Sequence, residues 1–423
     1  MLLKNCRIVS SKGVEKGDIS VDGGIITSIG QNLKQETGEK IDVNGGFVMP
    51  GVIDSHVHVR DFEEKIKEDY ISASKAALAG GVTTILEMPN TKPPINNPEI
   101  LKKRIELGEK KSLVDFGIHI GYKEGIKYQN APAAAVKVYL DSYTKENVEE
   151  YIDTAFKMSE MPLSFHCEDP RIITRNQSFA TDAGDFLIHS DIREEVAEHT
   201  AVEIVSRAAL KHKKHAHLCH VTLPQSVENK NTYTTCEVTP HHLLLTEIDL
   251  KEKKGIAKTN PPLRTKLDVL GLWKAVKSGK VDIIASDHAP HTLKEKKGDA
   301  FNCPSGIPNL DIMLKLMLDL VNRGSIGLSD LVRMMCENPA KIFQVPKKGF
   351  VAPGMDADLL VLDMNRKSKI DPATFYSKAK YSPFEGRKIV GDIKTVISKG
   401  EVAFENGHFH LKQGAGRYLY RQV

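Results

Sequence analysis

The stretch PGVIDSHVHVR, residues 50–60, decides how the rest of the chain is read. Its approach through Val52 and Ile53 has the composition of a buried strand, and it delivers His56 and His58 two residues apart. Residues i and i+2 of a strand share a face, so both imidazoles can meet one cation. An HxH pair alone fits two packed or surface histidines equally well. Its weight therefore depends on what the chain places at equivalent positions elsewhere.

Outward from residue 60, apolar runs alternate with helical patterns. Runs at 52–59, 82–88, 114–120, 135–140, 163–167, 216–221, 234–239 and 281–286 read as eight strands. Helices are predicted between them at 68–79, 145–158, 192–212 and 267–277, and beyond them at 312–322 and 328–337. Strand-then-helix units in succession predict an α/β fold, a (β/α)8 TIM-type barrel over 50–347, the domain that would carry a metal-dependent catalytic site if the HxH is one. A doubly wound open sheet shares this periodicity.

The texture differs before residue 50 and after 347. Short strand signals at 2–9, 18–21, 25–29 and 40–48 are punctuated by Gly23-Gly24 and Gly45-Gly46. They return at 358–362, 394–398 and 401–404, with a turn at Asn406-Gly407. Segments 1–49 and 348–423 are therefore expected to form one small β-sandwich domain together. A chain of 423 residues has room for both parts, since such barrels take roughly 250 residues.

Composition narrows the function. Lys+Arg 59 against Asp+Glu 55 leaves +4, and the basic residues are scattered, as at Lys251, Lys253 and Lys254. That argues against nucleic acid as a partner. Lys4 and Arg7 stand where a signal peptide would have its apolar core, and no apolar run approaches membrane-spanning length. A cytoplasmic protein with no membrane partner is expected. The six cysteines are dispersed without a CxxC, which suits a reducing compartment and offers neither a disulfide framework nor a cysteine zinc site.

Catalytic groups of a barrel sit at the C-terminal ends of its strands, which gives the HxH a test. Strand four carries Lys137 in AVKVYL, strand five ends at His166 in LSFHCED, strand six at His220 in HLCHVT, and strand eight at Asp287 in IIASDHAPH. An ammonium in an apolar strand is costly without a partner. Lys137 is then either a side chain reaching for the mouth or a lysine carboxylated by CO2, whose carbamate could bridge two cations. His166 alone fits a core histidine, and Asp287 alone fits a cap before Pro290. Their recurrence at one end of successive strands favours a shared site.

These motifs resemble the amidohydrolase superfamily, and within it the dihydroorotases with a carboxylated lysine. The match spans nearly the whole chain. Besides HVHVR it includes EMPNTKPP at 87–94, KVYL at Lys137, HCED at His166, CHVT at 219–222 and CEVTPHHLLL from Cys236. TNPPLR at 259–264, SDHAPHTLKEK from Ser286, CPSGIP from Cys303, VAPGMDADLLVLD and SPFEGRKIVGDIKTVISKG complete it. One departure stands out: the family continues HxHxRE with Pro and Gly, whereas this chain reads RDFEEKIKEDY.

The resemblance implies one metal on His56, His58, Asp287 and the Lys137 carbamate, and a second on the carbamate, His166 and His220. Two divalent cations, zinc by ligand type, would give a hydroxide near neutral pH. It implies reversible closure of N-carbamoyl-L-aspartate to L-dihydroorotate, with Asp287 as the proton carrier. The substrate carboxylate would be held by Arg60, Asn90 and His291. Asn260 and Arg264 are further pocket candidates, and Ser305 and Gly306 would offer backbone groups. His241 and His242 carry no implied ligand role. Aspartate transcarbamoylase is the partner protein the resemblance suggests. Two alternatives stay open: a hydantoinase or allantoinase, which would lack Arg60 beside the metals, and a non-catalytic scaffold, which would lack ligands.

Overall fold

Val52–Val57 pairs in parallel with Val82–Glu87, and that strand pairs with Asp115–Ile118. The third strand then changes partner. The His119 N–H still donates to the Glu87 carbonyl at 2.8 Å, but the Ile120 N–H donates to Ala135 at 3.0 Å, and Ile120–Gly121 pairs with Val136–Tyr139. Leu163–His166, Ala216–Leu218, Thr234–Val238 and Ile283–Ile284 follow in parallel, each beside its predecessor. A parallel bridge between Val57 and His288, with the His58 N–H 2.8 Å from the His288 carbonyl, joins the last strand to the first. Eight strands in sequence order thus close into a barrel, and the open sheet is excluded. This computed structural model describes residues 1–34, 38–144 and 146–420.

The strands end earlier than their apolar runs. The sixth stops at Leu218 and the eighth at Ile284, because the chain turns out of the ladder to aim side chains across the mouth. His220, Asp287 and Arg60 have φ of 34°, 43° and 61°. Non-glycine residues held in that left-handed region mark sites where surrounding structure enforces an unfavourable backbone.

Helices cover the barrel where their patterns place them. Tyr70–Ala79 starts at Asp69, whose side chain accepts from the Ser72 N–H while the Ser72 hydroxyl caps in return. Glu195–His212 is separate from the short Ile188–Ile192, and Val148–Met158 begins after Lys145, which lies outside the described residues. Among the described residues no helix is long and apolar enough to cross a membrane.

The terminal segments meet in one nine-stranded mixed sheet. Phe47–Pro50 joins them, pairing with Leu2–Ser10 on one side and with Leu359–Lys369 on the other. Alternation along these strands divides the apolar residues between two cores. Ile8, Val48, Leu359, Val361 and Ile397 form a core within the terminal sheet. Their neighbours Val9, Met49, Leu360, Leu362 and Val396 pack into the barrel core. The Asn406-Gly407 turn, with φ of 50° and 82°, closes the expected hairpin by pairing Glu405 with His408.

Candidate metal centre and pocket

His56 and His58 emerge from the first strand on one side, as the i, i+2 rule requires. The His56 Nδ1–H donates to Glu237 Oε1 at 2.5 Å, and the His58 Nδ1–H to Asn90 Oδ1 at 2.6 Å. Each bond fixes the tautomer that leaves Nε2 with a lone pair. Both Nε2 atoms face Asp287 Oδ1, at 3.4 and 3.2 Å. Burial holds both imidazoles below their ordinary pKa, His58 well below it. They are neutral at physiological pH, the form that ligates.

The second half of the cluster follows the same logic. His166 Nε2 lies 2.6 Å from Glu168 Oε2, which leaves Nδ1 facing His220 Nε2 at 3.0 Å. Burial, with His166 close by, keeps His220 well below the ordinary histidine range. Two imidazole nitrogens turned toward each other suit a shared cation. Lys137 completes the floor. It is 1% exposed, and its ammonium donates to Cys219 Sγ at 2.8 Å. Burial pushes that thiol up to about 12, so it is no counter-ion, and among the described residues no carboxylate pairs with Lys137. The donor set fits a pair of divalent cations, and the uncompensated amine fits carboxylation.

A cavity of about 150 Å³ opens over this cluster, lined by His56, His58, Arg60, Asn90, His166, His220, Asn260, Asp287, Ser305 and Gly306 among others. Arg60 is buried, its Nε has no hydrogen-bond partner among the described residues, and Nη2 lies 3.5 Å from His291 Nε2. Burial and the Arg60 charge press His291 down to about 2, so it stays neutral and donates to the Ser305 carbonyl at 3.0 Å. Asn260, with its amide turned to satisfy its neighbours, accepts from Arg193 at 2.9 Å and donates to Ser305 Oγ at 2.7 Å. Arg264 stands apart from the pocket: its guanidinium donates to Thr222 Oγ1 and to the Arg193 carbonyl. His241 and His242 are engaged by Asn309, Thr239 and the Pro261 carbonyl, away from the lining.

Four residues of the site went unread. Tyr139 and Asp141 line the cavity, while Glu168 and Glu237 orient metal-facing histidines. The signal was the strand period itself. Tyr139 is two residues beyond Lys137 and Glu168 two beyond His166, on the same faces, and Glu237 is an acid in an apolar strand.

A model of the amidohydrolase family matches residues 47–403. The chain belongs to that family. Amidohydrolases use divalent metal ions, and here the ligand atoms of His56, His58 and Asp287 lie within 4.8 Å of one another. The chain is 37% identical to the dihydroorotase of Methanothermobacter thermautotrophicus over 424 residues, 99% of this chain and 96% of that protein. It is 37% identical to the dihydroorotase of Pyrococcus furiosus over 411 residues, 94% of this chain and 91% of that one. Among solved structures, the L-hydantoinase (dihydropyrimidinase) of Arthrobacter aurescens superposes with a TM-score of 0.92 at 29% identity, covering 99% of each chain. As a family, then, its relatives are cyclic amide hydrolases.

Proposed function

We propose that the chain is a dihydroorotase, interconverting N-carbamoyl-L-aspartate and L-dihydroorotate plus water in the pyrimidine route to UMP. The observation that carries this reading is Arg60. A buried guanidinium facing a cavity lined by the candidate metal ligands, with no ion-pair partner among the described residues, calls for an anionic ligand. Dihydroorotate has a carboxylate, and hydantoin and allantoin have none. Full-length relatives bearing the dihydroorotase name support the same substrate.

His56, His58 and Asp287 would hold one cation, His166 and His220 the other, with the carboxylated Lys137 between them; zinc suits the imidazole and carboxylate donors. When bound, the pair supplies an activated water and polarises the ring amide carbonyl. The chain does the rest. Arg60, with the Asn90 amide beside it, would orient the ring by its carboxylate; His291, its N–H donated to Ser305, backs the guanidinium; and Asn260 with the Ser305–Gly306 backbone walls the far side. Asp287, buried beside His56 and His58, would accept a proton and pass it to the ring nitrogen as the amide bond breaks. Ring closure uses the same groups in reverse.

The test is ring opening by the metal-loaded protein. Dihydroorotate should turn over, with hydantoin and allantoin far poorer. Comparable kcat/KM on the uncharged rings would overturn the reading in favour of a hydantoinase.

A further inference from the structure

Two ammonium groups are buried beside the pocket, bonded to backbone carbonyls rather than carboxylates. Lys258 is 5% exposed and donates to Ala300 O at 2.7 Å and Cys303 O at 2.6 Å. Lys296 is 2% exposed and donates to Pro304 O and Gly306 O, each at 2.8 Å, and to Lys258 O at 3.4 Å. The Gly306 N–H returns to Lys258 O at 2.9 Å. Burying an ammonium in this way opposes folding, and burial pushes Lys296 down to about 7. An apolar side chain would fill the same space without that cost.

These two cations take four carbonyls of one loop, those of Ala300, Cys303, Pro304 and Gly306. The Ser305 carbonyl is taken by His291, and Gly306 O also accepts from the Tyr381 hydroxyl at 3.1 Å. Carbonyls 300 and 303–306 are thus all engaged away from the substrate space. Gly306 has φ +132°, and a Cβ there would come within 2.4 Å of the Ala289 carbonyl, so the loop lies directly against the chain leaving Asp287. Ser305 and Gly306 are also the loop residues that line the cavity.

We propose that Lys296 is a positioning residue for substrate binding: with Lys258 it staples the 299–306 loop, so that Ser305 and Gly306 stand at a set distance from Asp287 and Arg60. The proposal relies on the dihydroorotase reading only for the substrate that reports it. A flexible loop in place of the stapled one would have to be ordered by each substrate, which weakens binding and leaves the reacting groups in place.

The experiment uses the full-length, metal-loaded protein and Lys296→Met. The expected result is a KM for dihydroorotate raised about tenfold, with kcat changed by less than about threefold and two metals retained per chain. Deuterium uptake in 299–306 should accelerate, and in Lys296→Ala, which leaves a cavity for it, added propylammonium should lower the raised KM. Lys296→Gln keeps two N–H donors and covers the case in which the methionine variant does not fold; a smaller KM rise is expected there. An unchanged KM, unchanged exchange in the loop, or loss of metal and kcat together would overturn the proposal. Should the unsubstituted protein fail to turn over dihydroorotate, the substrate reading falls, while loop exchange and its reversal by propylammonium in Lys296→Ala still decide the staple.

Discussion

Buried cations at the two ends of the barrel are treated in opposite ways. Beneath the strands, Lys348 is almost fully enclosed and meets three carboxylates: Asp115 Oδ2 at 2.7 Å, Asp356 Oδ2 at 2.9 Å and Asp358 Oδ2 at 2.5 Å. Lys399 and Arg417 add further bonds to Asp115, tying the terminal sheet to the start of the third strand. At the mouth, Arg60 and Lys137 are as deeply buried, yet among the described residues neither has a carboxylate partner. Desolvation costs both ends alike. Where the protein supplies the counter-charge, the cation holds structure together. For Arg60 and Lys137 the proposed function supplies the compensation from outside: CO2 would convert the Lys137 amine to a carbamate, and the substrate carboxylate would face Arg60.

Removing Lys137 should break the contrast most severely. Lys137→Ala is expected to lose bound metal and activity together, beyond about 10⁴-fold in kcat/KM, because no neutral side chain would replace the carbamate proposed on Lys137. A short carboxylic acid added to the variant should restore part of both, as read by metal content and turnover. Retention of two metals in Lys137→Ala would sink the idea.

Asp287→Asn should lower kcat by roughly 10²- to 10⁴-fold while the fold survives, since it would remove the proposed proton carrier and weaken the proposed metal bond. Near-normal turnover in a well-folded variant would remove Asp287 from that role.

At the paired end the readout changes from activity to stability. Lys348→Met leaves three carboxylates facing one another and should cost about 3–5 kcal/mol in denaturant unfolding, while kcat/KM per metal-loaded molecule stays as it was. A loss of activity without a loss of stability would show that the two ends are not separate.

Arg60 should govern substrate choice more than chemistry. Arg60→Met is expected to lose about 1.5–3 kcal/mol on dihydroorotate, about tenfold to a hundredfold in kcat/KM. Both metals should remain, and uncharged ring amides should be affected much less. Arg60→Lys keeps the charge without the fork and should recover only part of the loss. An unaltered kcat/KM in Arg60→Met would mean that the carboxylate is held elsewhere.

The smallest effect is on acid stability. Burial alone would raise the Asp115 pKa, but Lys348, Lys399 and Arg417 outweigh it and hold the carboxyl below its usual range. A depressed folded pKa contributes stability above the unfolded value of about 3.9, and that contribution fades as pH falls through the window below it. Unfolding midpoints should therefore drop on acidification below about pH 4, and less steeply in Lys348→Met.

Much of this was legible in one dimension because it follows from periods. Eight apolar runs separated by helical patterns specify a succession of parallel units, and His56, His58, Lys137, His166, His220 and Asp287 stand at the ends of those runs. Alternation likewise marks which residues of the terminal strands turn inward. What a period cannot carry is the partner across space. Arg264 reads like a pocket arginine, yet its guanidinium donates to Thr222 Oγ1 and the Arg193 carbonyl, partners distant in the chain. Asp115 and Asp287 are both single acids flanking an apolar strand. Only closure of the barrel puts one against three cations and the other against the paired His56 and His58. Local pattern determined the strands and the candidate ligands. Tertiary structure decided which buried charges are compensated, since the energy of a buried charge depends on neighbours that are distant in the chain.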